Sequence, residues 1–234
     1  NLRNLILKLN PSKLKQIRMR DFDYSFYSFY GNLKDLEILA QLQVVELAER
    51  IQGNISSLCS LHQLIEISFC ENTNVIGNLS SLRDLVNLKK LGCYCCDLSG
   101  NVSSLSSLQK LELVDFSDNK QLTGDICVLS TMSNLSSLEI DCTQIFGDLT
   151  SFSSLTQLTT LNCDYTKIGG DIDSLSTLIK LGMLRLSNTD VHGDIGAFRN
   201  ISSLVEMELS GNENIIGDTT SISSDVRYVN MGRN

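Results

Sequence analysis

A nearly constant interval between glycines is the feature that most constrains the fold of this chain. Nine glycines, each followed by Asn or Asp, are separated by 22 to 24 residues. They are Gly31, Gly53, Gly77, Gly100, Gly124, Gly147, Gly170, Gly193 and Gly217. A period of this length is typical of repeat proteins, in which each unit buries its apolar side chains against neighbouring units. The chain is therefore expected to form a solenoid.

An apolar motif of the form L-x-x-L-x-L stands before each of these glycines. Leu135, Leu138 and Ile140 form one copy, and weaker copies occupy 14–19 and 226–231. The second and third apolar positions are two residues apart, which is the spacing of a β-strand with one buried face. Each repeat is therefore expected to contribute a short strand whose alternate side chains point outward.

Over nearly the whole chain this pattern resembles the leucine-rich repeat family. The closest version is the plant-type repeat, L-x-x-L-x-L-x-x-N-x-L-x-G-x-I-P, except that (D/N)-(I/L) stands in place of I-P. The resemblance implies an α/β leucine-rich repeat solenoid, which is a right-handed superhelix with a parallel β-sheet on its concave face. Short 3-10 or helical turns and short convex strands are expected elsewhere.

The two ends of the chain depart from the regular repeat. We expect residues 1–30 to form an N-terminal cap and an irregular first repeat, because terminal repeats are atypical. The aromatic stretch 21–30 is interpreted as part of this cap, with a recognition patch as the alternative. Residues 31–234 are expected to form the repeats, with a last strand near 229–231 and no evident cap after it.

The ninth position of the motif varies with the length of the repeat. Glycine spacings of 24 contain Asn at this position, whereas spacings of 23 contain Cys or Thr. An Asn amide can satisfy several backbone groups inside a wider turn, and Thr or Cys has less reach. We expect an inward-facing polar ladder, bonded to the loop backbone, that consists of Asn72, Cys96, Asn119, Thr143, Thr166, Thr189 and Asn212.

The stretch from Asp190 through His192 to Asp194 has the D-x-H-x-D form of a metal site. The slot of Asp194 holds Asn or Asp in every repeat, and the other histidine, His62, lies in an early repeat. A metal site needs ligands that converge. We therefore interpret the stretch as a structural turn, and expect neither a metal nor a cofactor.

Eight cysteines leave disulfides, a metal site and free thiols as alternatives. Cys93 and Cys163 occupy equivalent strand positions three repeats apart, too far for a disulfide at about 4.8 Å per strand. Cys70 and Cys95 form the one suitable diagonal pair, and Cys93 to Cys96 is a single C-x-x-C. We interpret most cysteines as small buried hydrophobic residues. Free thiols favour an intracellular protein.

Five Asn-x-Ser sequons favour the alternative, a secreted protein. Three of them, at Asn54, Asn78 and Asn101, fall on the Gly-Asn slot, where the repeat consensus creates a sequon automatically. The other two are at Asn134 and Asn200. We therefore expect an intracellular protein and keep secretion as the alternative.

Charge is distributed unevenly along the chain. The net charge is −8, although residues 1–20 contain six basic and no acidic residues. A negative chain is not expected to bind duplex nucleic acid, because such binding depends on neutralising phosphates. No uninterrupted apolar stretch is long enough for membrane insertion.

Outward-pointing strand residues define the expected binding face, since leucine-rich repeat proteins generally bind partners on the concave sheet. Carboxylates predominate in the middle and late repeats of this face, where Tyr94 and Tyr165 are aromatic residues within or beside this acidic track. Arg18 and Arg20 form a basic patch at the other end of the face. The residues expected to contact a partner are Arg18, Arg20, Glu46, Glu66, Tyr94, Asp115, Glu139, Asp141, Asp164, Tyr165, Arg185 and Glu208.

Together these features predict a non-enzymatic protein–protein interaction module. Its acidic concave face would bind a protein or peptide with a basic surface through complementary charge. No nucleophile, base and orienting group converge in the sequence, so no enzymatic activity is expected. A secreted receptor-like or enzyme-inhibitor recognition domain is the alternative, and an ice-binding surface is a third.

Overall fold

The computed structural model describes residues 1–19, 30–48 and 50–232. Arg20 and residues 21–29, which include most of the aromatic stretch, lie outside the described residues. Helix α1 (Leu2–Lys8) begins after Asn1, whose side chain caps the first turn by accepting a backbone N–H. Leu2 and Ile6 of this helix are buried against the apolar core.

Two parallel β-sheets run along the described part of the chain. The strands are β1 (Gln16–Met19), β2 (Gly31–Asn32), β3 (Val44–Ala48), β4 (Ile51–Asn54), β5 (Glu66–Cys70), β6 (Val75–Asn78), β7 (Lys90–Gly92), β8 (Asp97–Asn101), β9 (Leu113–Asp115), β10 (Gln121–Asp125), β11 (Ser137–Glu139), β12 (Gln144–Asp148), β13 (Thr160–Asn162), β14 (Lys167–Asp171), β15 (Met183–Arg185), β16 (Asp190–Asp194), β17 (Glu206–Glu208), β18 (Asn214–Ile216) and β19 (Tyr228–Asn230). Odd-numbered strands form the first sheet and even-numbered strands the second, each in chain order. The solenoid predicted from the repeat is thereby confirmed.

Short 3-10 helices return the chain from the second sheet to the first. Their bounds are Leu33–Leu36, Ile55–Leu58, Leu79–Leu82, Val102–Leu105, Ile126–Thr131, Leu149–Phe152, Ile172–Leu175, Ile195–Phe198 and Thr219–Ser221, and a further 3-10 helix, Pro11–Lys13, joins α1 to β1. In each repeat the Asn or Asp after the glycine is the N-cap. Asp194, for example, accepts a hydrogen bond from the Gly196 N–H at 2.8 Å. This satisfies a backbone donor that the short helix leaves without a partner.

The apolar motif supplies one continuous core between the two sheets and the 3-10 helices. Leu135, Leu138 and Ile140 are buried, as are the equivalent residues of the other regular repeats. Leu14 and Val226, from the weaker terminal copies, are only partly buried at the margins of this core. The core is therefore elongated, and each repeat packs mainly on its two neighbours.

Asparagine at the ninth motif position links adjacent repeats. Asn119 Oδ1 accepts a hydrogen bond from the Leu98 N–H at 3.0 Å, and its Nδ2 donates to the Cys93 carbonyl at 2.7 Å. The same Nδ2 also contacts the Phe116 carbonyl of its own repeat at 2.8 Å. Asn72 and Asn212 likewise donate across to the preceding repeat and to their own.

Threonine at the ninth position makes shorter-range bonds. Thr143 and Thr166 each donate their hydroxyl to the carbonyl three residues earlier, at 2.7 Å. Thr189 makes the same bond but is partly exposed, and its hydroxyl also contacts Asn212 Oδ1. Cys96 is buried, with its Sγ 3.9 Å from the Phe69 carbonyl. Asn therefore fastens two repeats together, whereas Thr mainly closes its own turn.

The repeat glycines allow neighbouring repeats to approach closely. Gly124 has φ of 118°, a backbone conformation in which a side chain is strained. A β-carbon placed on it would overlap Oδ1 of Asn101, the N-cap of the preceding repeat. The glycine and the Asn or Asp after it therefore recur together, because each cap packs on the glycine of the next repeat.

Candidate binding face of the first sheet

Side chains that point away from the core along the first sheet form the candidate binding face, here called the first-sheet face. On β9, β11 and β13, Asp115 is paired in register with Glu139, and Glu139 with Asn162. Arg185 on β15 and Glu208 on β17 continue the same row. Because adjacent parallel strands lie about 4.8 Å apart, residues next to each other in this row are direct neighbours.

Four carboxylates on this face form the acidic cluster, defined as Asp115, Glu139, Asp141 and Asp164. Asp141 lies two residues after Glu139, so both side chains point to the same side of the sheet. Three members of the cluster line an open depression of about 340 Å³. The other lining residues are Tyr94, Ser117, Asp118 and Asn162.

Neighbouring polar groups hold two of these carboxylates in place. Asn162 Nδ2 donates to Asp141 Oδ1 at 2.8 Å, and Asn162 Oδ1 accepts from the Asp164 N–H at 3.1 Å. Asp164 Oδ1 accepts from the Ser187 N–H of the following repeat at 2.5 Å. Asn162 and Ser187 are buried despite being polar. The carboxylates are therefore positioned by bonds that connect three repeats, before any partner is bound.

Burial and repulsion by neighbouring carboxylates act together on Asp115 and Glu139. Burial raises the pKa of the Asp115 carboxyl, and the charge of Asp141 raises it further, while hydrogen bonds from Ser117 oppose the shift. Burial is also the largest cause of the raised pKa of Glu139, followed by the charges of Asp115 and Asp141. The charged forms of these groups are therefore less favourable here than in water.

Asp164 is the most strongly shifted of these carboxyls. Burial raises its pKa to about 6, and the charges of Glu208 and Asp141 contribute in the same direction. The hydrogen bond from the Ser187 N–H and the charge of Arg185 lower the pKa and offset only part of this effect. A fraction of Asp164 is consequently protonated at mildly acidic pH.

Two arginines expected on the face are engaged by glutamates. Arg18 lies between Glu46 and Glu66, with N–O distances of 2.7 Å and 3.0 Å. This corrects the interpretation of Arg18 as part of a basic patch, because its charge is balanced by residues of the next two repeats. Arg185 forms an ion pair with Glu206. In the described part of the chain, no Lys or Arg forms an ion pair with the acidic cluster.

The two tyrosines expected on the face differ in their surroundings. Tyr94 is half-buried in the wall of the depression. Tyr165 follows Asp164 directly, has φ of 55° and is 61% exposed. Asp118, three residues after the end of β9, also has a positive φ of 60° and lines the depression. Strand alternation could not place it, because the chain has left the strand there.

The D-x-H-x-D stretch lies in the second sheet, away from the acidic cluster. It forms β16, in which Val191 is buried and His192 is exposed. Asp194 is the N-cap already described, and no group of three or more His, Cys, Asp or Glu suited to a metal occurs among the described residues. Nor does the described part contain a helix with the length and apolar character needed to cross a bilayer.

All eight cysteines are described, and each has a free thiol. Cys93, Cys96 and Cys163 are buried, whereas Cys59, Cys70 and Cys127 are exposed, so the interpretation of most cysteines as buried residues is wrong. Burial raises the pKa of the Cys96 thiol to about 12 and that of Cys93 and Cys163 well above the ordinary value. The buried thiols therefore act as apolar packing groups.

No model of a known protein family matches the sequence, and no curated protein matches it significantly. Several solved structures resemble its fold. Internalin inlF from Listeria monocytogenes has a TM-score of 0.60 at 24% identity, over 86% of this chain and 63% of the internalin. The plant peptide hormone receptor RGFR1, in complex with RGF2, has a TM-score of 0.68 at 17% identity, over 94% of this chain and 39% of the receptor chain. A plant ice-binding protein has a TM-score of 0.58 at 23% identity, over 82% and 71% of the two chains.

The repeat pattern and the two stacked parallel sheets agree with these similarities in fold. The chain therefore has the leucine-rich repeat fold. It spans less than two thirds of the internalin and of the receptor chain to which it is similar.

Proposed function

We propose that the protein is a non-enzymatic interaction module whose first-sheet face binds a protein or peptide with a basic surface. The observation that carries this proposal is the acidic cluster, whose four carboxylates come from adjacent repeats and have no ion-pair partner among the described residues. Burial and repulsion make the charged forms of Asp115, Glu139 and Asp164 less favourable than in water. Lysine or arginine side chains of a partner would offset this cost by direct charge pairing.

Aromatic side chains beside the acidic cluster support a peptide or protein as the partner. Tyr94 lines the depression and Tyr165 is exposed next to Asp164. Tyrosine is frequent among the residues that dominate binding energies at protein interfaces. The face of its ring can also form a cation–π interaction with lysine or arginine. The similarity in fold to a peptide hormone receptor solved with RGF2 is consistent with this class of partner.

A fluorescent decapeptide that alternates lysine and serine tests the charge complementarity. In an extended peptide, alternate side chains lie on one face about 6.6 Å apart, so several lysines can reach carboxylates on adjacent strands. Binding measured by anisotropy should weaken as salt rises, because salt screens the interacting charges. A decapeptide of glutamate and serine is the control and should not bind. Equal affinity for the two peptides would refute the proposal.

Binding to ice is a second candidate, favoured by a row of exposed hydroxyl groups next to the 3-10 helices. Ser107, Thr131, Ser154 and Thr177 occupy the same position in four successive repeats, and all are exposed. Three of them donate to a carbonyl of the preceding repeat, as Ser154 does to Ser130 at 2.7 Å. The similarity in fold to a plant ice-binding protein is consistent with this second candidate.

Thermal hysteresis, the gap between the melting and freezing points of a solution, tests this second candidate. Replacement of Thr131 and Thr177 by Lys should abolish any hysteresis, because long charged side chains would interrupt the row of hydroxyl groups. The same replacements should leave binding of the lysine–serine peptide unchanged. Absence of hysteresis in the unmodified protein would eliminate ice binding.

A further inference from the structure

A second open depression lies at the N-terminal end of the solenoid, between helix α1 and strands β2 and β4. Its volume is about 370 Å³, which falls within the range of small-molecule sites. Its polar and charged lining side chains include those of Asn1, Arg3, Tyr30, Asp35, Arg50 and Gln52. Backbone bonds fix this geometry, since the Leu2 N–H donates to the Tyr30 carbonyl at 3.0 Å.

Both arginines of this depression lack an acidic partner. Arg3 and Arg50 form no ion pair with any residue in the described part of the chain, unlike Arg18 and Arg185 on the first-sheet face. Asp35 is the one carboxylate among the described lining residues. The described lining of the depression therefore carries a net positive charge, on a protein whose overall charge is −8.

We infer that this depression binds a phosphate or sulfate group carried on a small hydroxylated molecule. Guanidinium groups present several N–H donors in a planar fork that matches the oxygens of such anions. The Gln52 amide and the Tyr30 hydroxyl line the same depression and add neutral donors. Asp35, in the same wall, can accept a hydrogen bond from a hydroxyl of the ligand.

The depression is separate from the acidic cluster and has the opposite charge. Gln52 lies on β4, and its register partner Asn32 lies on β2, so the depression adjoins the second sheet. The acidic cluster instead follows β9 to β13 of the first sheet. Binding of an anion at one site should therefore leave binding of a cationic peptide at the other largely unchanged.

Isothermal titration of the whole chain with glucose 6-phosphate, glucose 6-sulfate and glucose tests the inference. At least one of the two charged sugars should bind with millimolar or better affinity, and the neutral sugar should not bind. Tighter binding of the phosphate or of the sulfate would show which of the two groups the depression recognises. Equal binding would show that it recognises the features that both anions share. If neither charged sugar binds, or if glucose binds equally well, the inference is wrong.

Variants separate this site from nonspecific attraction. Arg3→Gln and Arg50→Gln should each weaken binding of the charged sugar about tenfold or more, because each removes charge-assisted hydrogen bonds. Arg199→Gln is the matched control, since Arg199 is also exposed but does not line the depression. This variant should bind the charged sugar with the same affinity as the unmodified protein. Circular dichroism of all three variants should be unchanged. If all three lose affinity equally, the inferred site does not exist.

Discussion

Asp115 and Glu139 are paired in register on adjacent parallel strands, so that two carboxylates lie side by side on the first-sheet face. Like charges directly opposite each other in a sheet are destabilising. Burial is the largest cause of the raised pKa of both groups; the charge of Asp141 adds to both shifts, and the charge of Asp115 adds to that of Glu139. Two like charges that destabilise the fold are thus held on a face that a partner can reach. A cationic partner would relieve their repulsion, which is the physical basis of the proposed function.

The raised pKa of Asp164 predicts a pH-dependent stability. Below about pH 4 the carboxyl is protonated in both the folded and the unfolded chain, and its contribution to stability is fully present. That contribution is lost as pH rises through the folded pKa of about 6. Asp164→Asn, which stays neutral, should therefore raise Tm by about 2 °C at pH 7.5, but not at pH 4. Thermal melts at the two pH values measure this, and an equal effect at both would contradict it.

Asn119 should contribute more to stability than its counterpart Thr143. Asn119→Ala leaves the Leu98 N–H and the Cys93 carbonyl without their buried partner. The free energy of unfolding should fall by about 3 kcal/mol or more. Thr143→Ala removes mainly one local bond, to the Ile140 carbonyl, and should cost about 1 kcal/mol. Urea unfolding of both variants gives the comparison, and equal losses would refute the distinction between the two residue types.

Gly124 and Gly92 form a matched pair for testing the role of the repeat glycine. Gly124→Ala places a β-carbon against Asn101 at a positive φ and should lower the free energy of unfolding by about 2 kcal/mol or more. A β-carbon on Gly92 meets nothing closer than 3.8 Å, so Gly92→Ala should change stability by less than about 0.5 kcal/mol. Denaturant unfolding measures both, and a tolerated Gly124→Ala would show that the packing on the cap is loose.

Features of the fold and of the candidate site that depend on the repeat can be predicted from the sequence, whereas contacts between residues far apart in the sequence cannot. The repeat fixes which residue occupies each slot, so the strands, the buried face and the row from Asp115 to Glu208 follow from periodicity. Periodicity does not predict the pairing of Arg18 with Glu66. This ion pair depends on the conformations of two long side chains that meet across two repeats. The second depression was also missed, since Arg3 and Arg50 belong to different elements that only the fold brings together.

Thiol labelling tests the burial of the cysteines. Iodoacetamide at pH 8 should modify the exposed Cys59, Cys70 and Cys127 of the native protein, although burial at Cys70 and the hydrogen bond with Asp125 at Cys127 raise the thiol pKa and slow the reaction there. Cys93 and Cys163 should stay unmodified until the protein unfolds, because burial both blocks access and raises the thiol pKa. Mass spectrometry of the digested protein identifies the labelled sites. Rapid native labelling of Cys93 would mean that the core opens readily.

The most direct test of the proposed function compares two triple charge reversals with the same change in net charge. The first replaces Glu139, Asp141 and Asp164 by Lys on the first-sheet face. The second replaces three exposed acids that lie elsewhere, Asp84, Asp190 and Glu213.

The affinity of each triple variant for the lysine–serine decapeptide is the deciding measurement. Reversal of the acidic cluster should weaken binding about 100-fold or more, since close charge pairs become repulsive. Reversal of the other three acids should change the affinity by about threefold or less, because it alters only long-range attraction that salt screens. Equal losses of affinity in the two variants would contradict a binding site on the first-sheet face.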